Sequence, residues 1–177
     1  MSERLVFDTS VRSLFEAVPE TAQASVAAEW KALGIDIHKL VPGYDVSLWW
    51  KAVECAARFF EGTPKDRLRN LGRGLTQRFT HSAIGRAAGP LGRLTGPQRS
   101  LRRAGNTFRS GNNYLRVDVE VDEPGHMRLR INEASPVGEL LAGSIEEMVL
   151  YTGGLDPEVD LELRGDHTLY DVRWTAG

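Results

Sequence analysis

LRVDVEVDEPGHMRLRI, residues 115–131, is the stretch on which the fold turns. Leu115, Val117, Val119 and Val121 alternate with Arg116, Asp118 and Glu120, and Met127, Leu129 and Ile131 alternate with Arg128 and Arg130. Asp122-Glu123-Pro124-Gly125 between them reads as a turn. A period of two puts successive side chains on opposite faces of a strand, so this stretch predicts a β-hairpin with one dry and one wet face. Its polar face carries acids on one strand and arginines on the other, which cross-strand pairing favours.

A second hairpin follows downstream: Val159, Leu161 and Leu163 alternate with Asp160, Glu162 and Arg164, Gly165-Asp166 turns the chain, and Tyr170, Val172 and Trp174 point inward. Between the hairpins Ser135 is the expected cap of a helix beginning near Pro136, with Val137, Leu140, Leu141, Ile145, Met148 and Val149 on one face and Gly153-Gly154 at its end. Residues 111–177 are therefore expected to be ββαββ.

Upstream, residues 1–110 read as mainly helical. After a short strand at Leu5 to Phe7, Asp8, Thr9 and Ser10 are candidate caps for a helix through Val18. Residues 20–33 place Ala22, Val26, Trp30 and Leu33 on one face, and Gly34 stops them. Asp45 caps a helix from Val46 to about Glu61, with Val46, Trp49, Trp50, Val53, Ala57 and Phe60 at helical spacing and Gly62 as terminator. Lys65 to Thr80 reads as another helix, and Ser82 to about Arg93 as one more, where Gly85, Gly89 and Gly92 suit close backbone packing and Pro90 a bend. A one-sided antiparallel sheet must be roofed by helices, so the fold class is α+β, a single domain over 1–177.

With 177 residues, 41% of them hydrophobic and 26% charged, the chain is long enough to bury one core. The formal net charge of -2 argues against nucleic acid or an anionic membrane as partner. Cys55 is the single cysteine, so no intrachain disulfide forms, and neither a signal peptide nor a membrane span is visible; a cytoplasmic location is expected.

The net charge conceals a division. From Lys65 to Arg109 eleven basic residues stand against one acid, Asp66, leaving the remainder of the chain strongly acidic. Ten of the eleven are arginine, suited to bidentate contact with carboxylate or phosphate. Three uses compete: neutralisation by the acids of the same molecule, an acidic partner or subunit interface, and a phosphate-bearing ligand. Arg69 with Arg73, and Arg99 with Arg103, form R-x-x-x-R, which on a helix puts both guanidinium groups on one side. The Glu133-Ala134-Ser135-Pro136-Val137-Gly138 stretch resembles half of the cyclic-di-GMP motif of PilZ domains, although glutamate holds the Asp/Asn position and a helix is expected where that barrel has strands.

Catalytic patterns are missing from the sequence. The histidines at 38, 81, 126 and 167 form no metal-ligand spacing with one another, and Cys55 sits on an apolar helix face. Gly72-Arg73-Gly74 does not continue into a dinucleotide fingerprint, and neither a P-loop nor a nucleophile elbow occurs. Neither a metal nor a cofactor is expected, and the protein is expected not to be an enzyme.

Leu71-Gly72-Arg73-Gly74 through Phe79, then Ser82-Ala83-Ile84-Gly85-Arg86, an arginine-rich connector, the long hairpin and the closing strand Tyr170 to Trp174 together resemble DUF2378, a paralogous family concentrated in myxobacteria. The resemblance implies the plan of a broader group that includes haem NO-binding and 4-vinyl-reductase-type domains, which hold small, often hydrophobic ligands between helices and sheet. The haem branch of that group needs an axial histidine in the helical half and a Y-x-S-x-R motif; the motif is missing and His81 is a poor substitute.

The functional expectation is a non-enzymatic sensory or adaptor module holding a small apolar or amphiphilic ligand, with Trp49, Trp50, Phe60 and Phe79 as walls and Arg73 or Arg86 for an acidic headgroup. The alternative is a regulatory protein that recognises an acidic partner or a nucleotide through Arg69, Arg73, Arg99, Arg102 and Arg103. A homodimer is expected by analogy alone.

Overall fold

The computed structural model describes residues 3–81, 94–134 and 137–176. Leu5–Phe7 (β1) pairs antiparallel with Gly43–Asp45 (β2), a strand the sequence did not signal. Asn112 bridges antiparallel to Val6, and Asn113 beside it donates its N–H to Leu5 O at 3.1 Å while its side-chain Oδ1 accepts from Leu5 N at 2.8 Å. The N-terminus is thereby tied to the segment that enters the main sheet.

Three helices follow the expected signals closely. Asp8–Ala17 (α1) is preceded by Phe7 at the cap position, not by Thr9 or Ser10. Glu20–Leu33 (α2) ends on Gly34 at φ 98°, where a left-handed residue returns its N–H to Trp30 and Lys31 carbonyls. Asp45 caps Val46–Ala57 (α3) by accepting from Ser47 N at 2.8 Å, and that helix stops a turn earlier than its periodicity suggested. Trp30, fully buried, donates its indole N–H to Ala52 O at 3.2 Å and stacks obliquely on Phe15, centroids 5.7 Å apart, which locks α1, α2 and α3 into one core.

Pro64–His81 (α4) is the long helix. The arginine-rich connector is itself helical, at residues 94–102 (α5) and Ala104–Arg109 (α6). The expected glycine stripe at Gly85, Gly89 and Gly92, and the bend at Pro90, lie outside the described residues, as do Ser135 and Pro136.

Val117–Glu123 (β3), His126–Ile131 (β4), Gly154–Arg164 (β5) and His167–Ala176 (β6) form an antiparallel sheet in the order β3-β4-β6-β5, with Gly138–Tyr151 (α7) across it. The central strands are driest: Met127, Leu129, Ile131, Tyr170 and Val172 are fully buried. At the edge, β3 is bulged between Val119 and Val121, and Val119 is 38% exposed, so its predicted inward side is only half covered. On the wet face Arg130 pairs with Asp118 at 2.7 Å, the cross-strand arrangement expected within the first hairpin, whereas Arg128 turns to Asp171 of β6 at 2.7 Å. Among the described residues no helix is long and apolar enough to cross a membrane.

Helix α7 is buried all round over Gly138 to Glu146 because it serves two cores. Val137 and Leu140 join the helical core, and Leu141, Ala142, Ile145 and Val149 join the sheet core. Its crossing with α4 is backbone on backbone: a Cβ on Gly72 would lie 2.0 Å from Leu140 O, and one on Gly143 would lie 2.1 Å from Arg69 O. Gly143→Ala should therefore lower stability by about 2–3 kcal/mol, as overpacking does, despite alanine's better helix propensity. Gly74→Ala, whose Cβ would meet only the Ala17 methyl at 3.3 Å, should change it by less than about 1 kcal/mol. Urea denaturation midpoints check the pair; an unchanged midpoint for Gly143→Ala refutes the tight crossing.

Candidate functional site

Helices that cross at a point diverge beyond it, and the space left between α1, α4, α5–α6 and α7 is a cavity of about 320 Å³. That volume lies near the lower end for small-molecule sites. The α7 stripe Val137, Leu140, Leu141, Ser144, Met148 and Tyr151 forms one wall, and Thr152 extends it. At 1.5 Å per residue the wall runs about 22 Å, so the cavity is elongated. Leu75, Thr76, Phe79 and Thr80 of α4 face it, Thr9, Ser10 and Ser13 of α1 and Trp49 of α3 close one side, and Ser100, Arg103, Thr107 and Phe108 another. The walls are apolar side chains interspersed with serine and threonine hydroxyls.

Two charged residues reach this space. Glu133, 3% exposed, is held by Arg4 at 2.9 Å, and Thr168 donates to its backbone carbonyl at 2.6 Å. The Arg4 guanidinium lies over the Tyr114 ring, 4.2 Å from its centroid, and more loosely over Trp50 at 5.9 Å. Burial first, then the Glu133 charge, pushes the Tyr114 phenol well above its usual pKa, against a smaller opposite pull from Arg4. The second charge is Arg103, which is exposed and has no ion-pair partner among the described residues.

Of the expected ligand-contacting residues the structure brings Trp49 and Phe79 to the cavity and leaves Trp50, Phe60 and Arg73 elsewhere. Trp50 and Phe60 pack on the helical core, and the Trp50 indole N–H is buried without a hydrogen-bond partner among the described residues. Arg86 lies outside the described residues. Arg69 and Arg73 do share a helix face, but they point into α7: Arg69 donates to Glu139 at 2.6 Å, Glu146 at 2.7 Å and Val159 O at 2.9 Å, and Arg73 meets Glu146 at 2.6 Å. Burial opposes the Arg69 charge, yet the hydrogen bonds and charges of Glu139 and Glu146 outweigh it and hold its pKa above the ordinary arginine value. Arg102 pairs with Asp122, Arg99 stays exposed and unpaired among the described residues, and Arg103 alone of the second R-x-x-x-R lines the cavity. Arg103 was a candidate through its R-x-x-x-R spacing with Arg99, whereas Glu133 and Tyr114 as wall residues were not singled out. The signal available in retrospect is Ser100, Arg103 and Thr107, polar residues three and four apart.

With this geometry established, similarity to other proteins can be weighed. The profile of the family described as "Protein of unknown function (DUF2378)" matches residues 4–175. The chain belongs to the DUF2378 family. No curated protein matches it. Several solved structures share the fold at low identity. The Fe(II) unliganded H-NOX protein from K. algicida has a TM-score of 0.71 at 11% identity over 97% of both chains. An H-NOX protein from S. oneidensis in the Fe(II)NO state gives 0.69 at 12% over 96% of this chain and 99% of that one. An oxygen-binding H-NOX domain related to soluble guanylate cyclases gives 0.68 at 13%, over 94% and 92%. The DUF2378 chain thus has the H-NOX fold, as its resemblance implied.

The donors around the DUF2378 cavity do not fit a histidine-ligated haem. Protein ligands to haem iron are histidine, cysteine, methionine or tyrosine. None of the four histidines lines the cavity, and Cys55 lies elsewhere, its thiol donating to Glu29 at 3.2 Å. Tyr114 is held in its neutral form by burial and Glu133, opposite to the phenolate that iron needs. Among the described residues no group of three or more His, Cys, Asp or Glu is placed to hold a metal ion.

The Arg69 network carries a testable consequence. Glu139 is 8% exposed and Glu146 3%, so Arg69→Met would leave two buried carboxylates poorly compensated and should cost about 3–5 kcal/mol. Adding Glu146→Gln to Arg69→Met should recover part of the loss. Thermal melts of the single and double variants check this; a double variant less stable than Arg69→Met would contradict the pairing.

Proposed function

We propose that this DUF2378 protein is a non-enzymatic sensory or adaptor module whose cavity among the helices, with α7 and not the sheet as its wall, holds a small apolar or amphiphilic ligand. The carrying observation is the cavity's position: α1, α4, α5–α6 and α7 all border it, so an occupant touches both halves of the fold at once. An apolar guest is favoured because each apolar square ångström withdrawn from water contributes roughly 25 cal/mol. The reading as a binding module is supported by the Glu133 carboxylate already being paired with Arg4. A cytoplasmic setting and a homodimeric state belong to this reading as well. The H-NOX fold supports it by analogy of architecture.

A second reading, recognition of an acidic partner, draws on the exposed arginines Arg78, Arg99 and Arg109, which have no ion pair among the described residues. It predicts binding that weakens steeply with added salt, whereas a buried apolar ligand is indifferent to it.

N-phenylnaphthylamine, a neutral apolar fluorophore, is expected to bind at one site, brightening there and quenching the emission of Trp49 in the cavity wall by energy transfer. Thr76→Trp, which fills the cavity from α4, should weaken that binding at least about tenfold while leaving the far-ultraviolet circular dichroism unchanged. Saturation with ligand at about a hundred times its Kd should add about 2.7 kcal/mol of stability, lost again on ligand removal. Absence of binding, or binding that Thr76→Trp does not disturb, refutes the proposal.

A further inference from the structure

Resting on that reading, we infer that the cavity takes a single-chain anionic amphiphile, with its carboxylate or phosphate head on Arg103 between Ser100 and Thr107 and its tail along α7. The backbone shows why these three residues act together. Arg103 has helical dihedrals (φ -95°, ψ 0°), its N–H reaches Ser100 O at 3.1 Å, and Thr107 N–H reaches Arg103 O at 3.2 Å. The chain therefore keeps a nearly helical course across the α5–α6 junction, and spacings of three and four put Ser100, Arg103 and Thr107 on one side of it. All three line the cavity. Two hydroxyls flanking a guanidinium form a set of donors for one anionic group.

The charge balance of the cavity points the same way. Glu133 is neutralised by Arg4, so its negative charge is spent within the fold. Arg103 has no acid beside it among the described residues, although Arg102, its neighbour in sequence, is paired with Asp122. Among the described residues the charge left uncompensated at the cavity is that of Arg103, which favours an anion over a neutral or cationic guest. Arg103 is exposed whereas Ser100 and Thr107 are half-buried. An anionic head placed there keeps part of its hydration and escapes most of the cost of burying charge.

The rest of the cavity suits a chain and not a disc. Leu75, Phe79, Leu140 and Met148 line it, and the wall along α7 is about 22 Å long for a volume of about 320 Å³. An apolar wall of that length can run beside an extended alkyl tail, and methionine adapts to its contour.

Displacement of N-phenylnaphthylamine from the full-length protein tests this with three probes of equal tail length: dodecanoate, dodecyl phosphate and dodecanol. The two anions are expected to bind about tenfold more tightly than the alcohol, the effect of a charge-assisted hydrogen bond at a partly exposed site. Which of the two anions binds more tightly distinguishes a carboxylate from a phosphate ligand. Arg103→Gln should bring both anions down to the affinity of the alcohol and leave the alcohol unchanged, while Arg109→Gln, outside the cavity, should behave as the unaltered protein. Equal affinity of acid and alcohol, or a preference that survives Arg103→Gln, overturns the head-group assignment and leaves the apolar cavity standing. Failure of all three probes and of the fluorophore overturns both.

Discussion

Helices α4 and α7 meet with no side chain between them, and the layers on either side are positioned by that contact. Gly72 rests against the Leu140 carbonyl and Gly143 against the Arg69 carbonyl, at separations that leave no room for a Cβ. Ser144 adds a hydrogen bond to Gly72 O at 3.1 Å across the same seam. From there α4 carries Leu71 into the helical core, and α7 carries Leu141, Ile145 and Val149 onto the sheet. Widening the seam by one methyl group would shift both cores, because interiors at crystal-like density transmit displacement rather than absorb it.

The same seam consumes part of the chain's charge division. Glu139 and Glu146 project from α7 beside the glycine contact and receive Arg69 and Arg73 of α4. Buried carboxylates so close to a dry interface are tolerated because the guanidinium of Arg69 donates to both and gives a third hydrogen bond to Val159 O. The arginine segment is thus divided by function. Its first part neutralises buried acids, Arg102 pins α5 to the edge strand through Asp122, and among the described residues Arg78, Arg99 and Arg109 face solvent while Arg103 borders the cavity.

The cavity is a consequence of this geometry. With α4 and α7 held together at their glycines, their C-terminal turns separate, and Phe79 and Thr80 on one and Met148 and Tyr151 on the other border open space. Among the described residues the side chains around that space supply hydroxyls, aliphatic groups and the guanidinium of Arg103.

Much of the fold was legible in the sequence. Alternating residues in 115–131 and 159–174 gave both hairpins, because a strand with one buried face writes its period into the chain. Gly34 and Asp45 marked helix ends for local reasons of dihedral angle and capping, and those held. Strand β2 and helices α5 and α6 were not legible, since short elements lack enough periods and take their stability from neighbours. For the site, Trp49 and Phe79 were found because cavity walls share the apolar spacing of a core, and for the same reason Trp50 and Phe60 could not be told from them. Which arginine is neutralised and which is free depended on where Glu139, Glu146 and Asp122 arrive in space, scores of residues away for the first two. Local pattern therefore determined the elements and their buried faces by itself. The close crossing, the pairing of charges and the cavity were decided only by tertiary packing, because each depends on contacts between residues that the chain order keeps far apart.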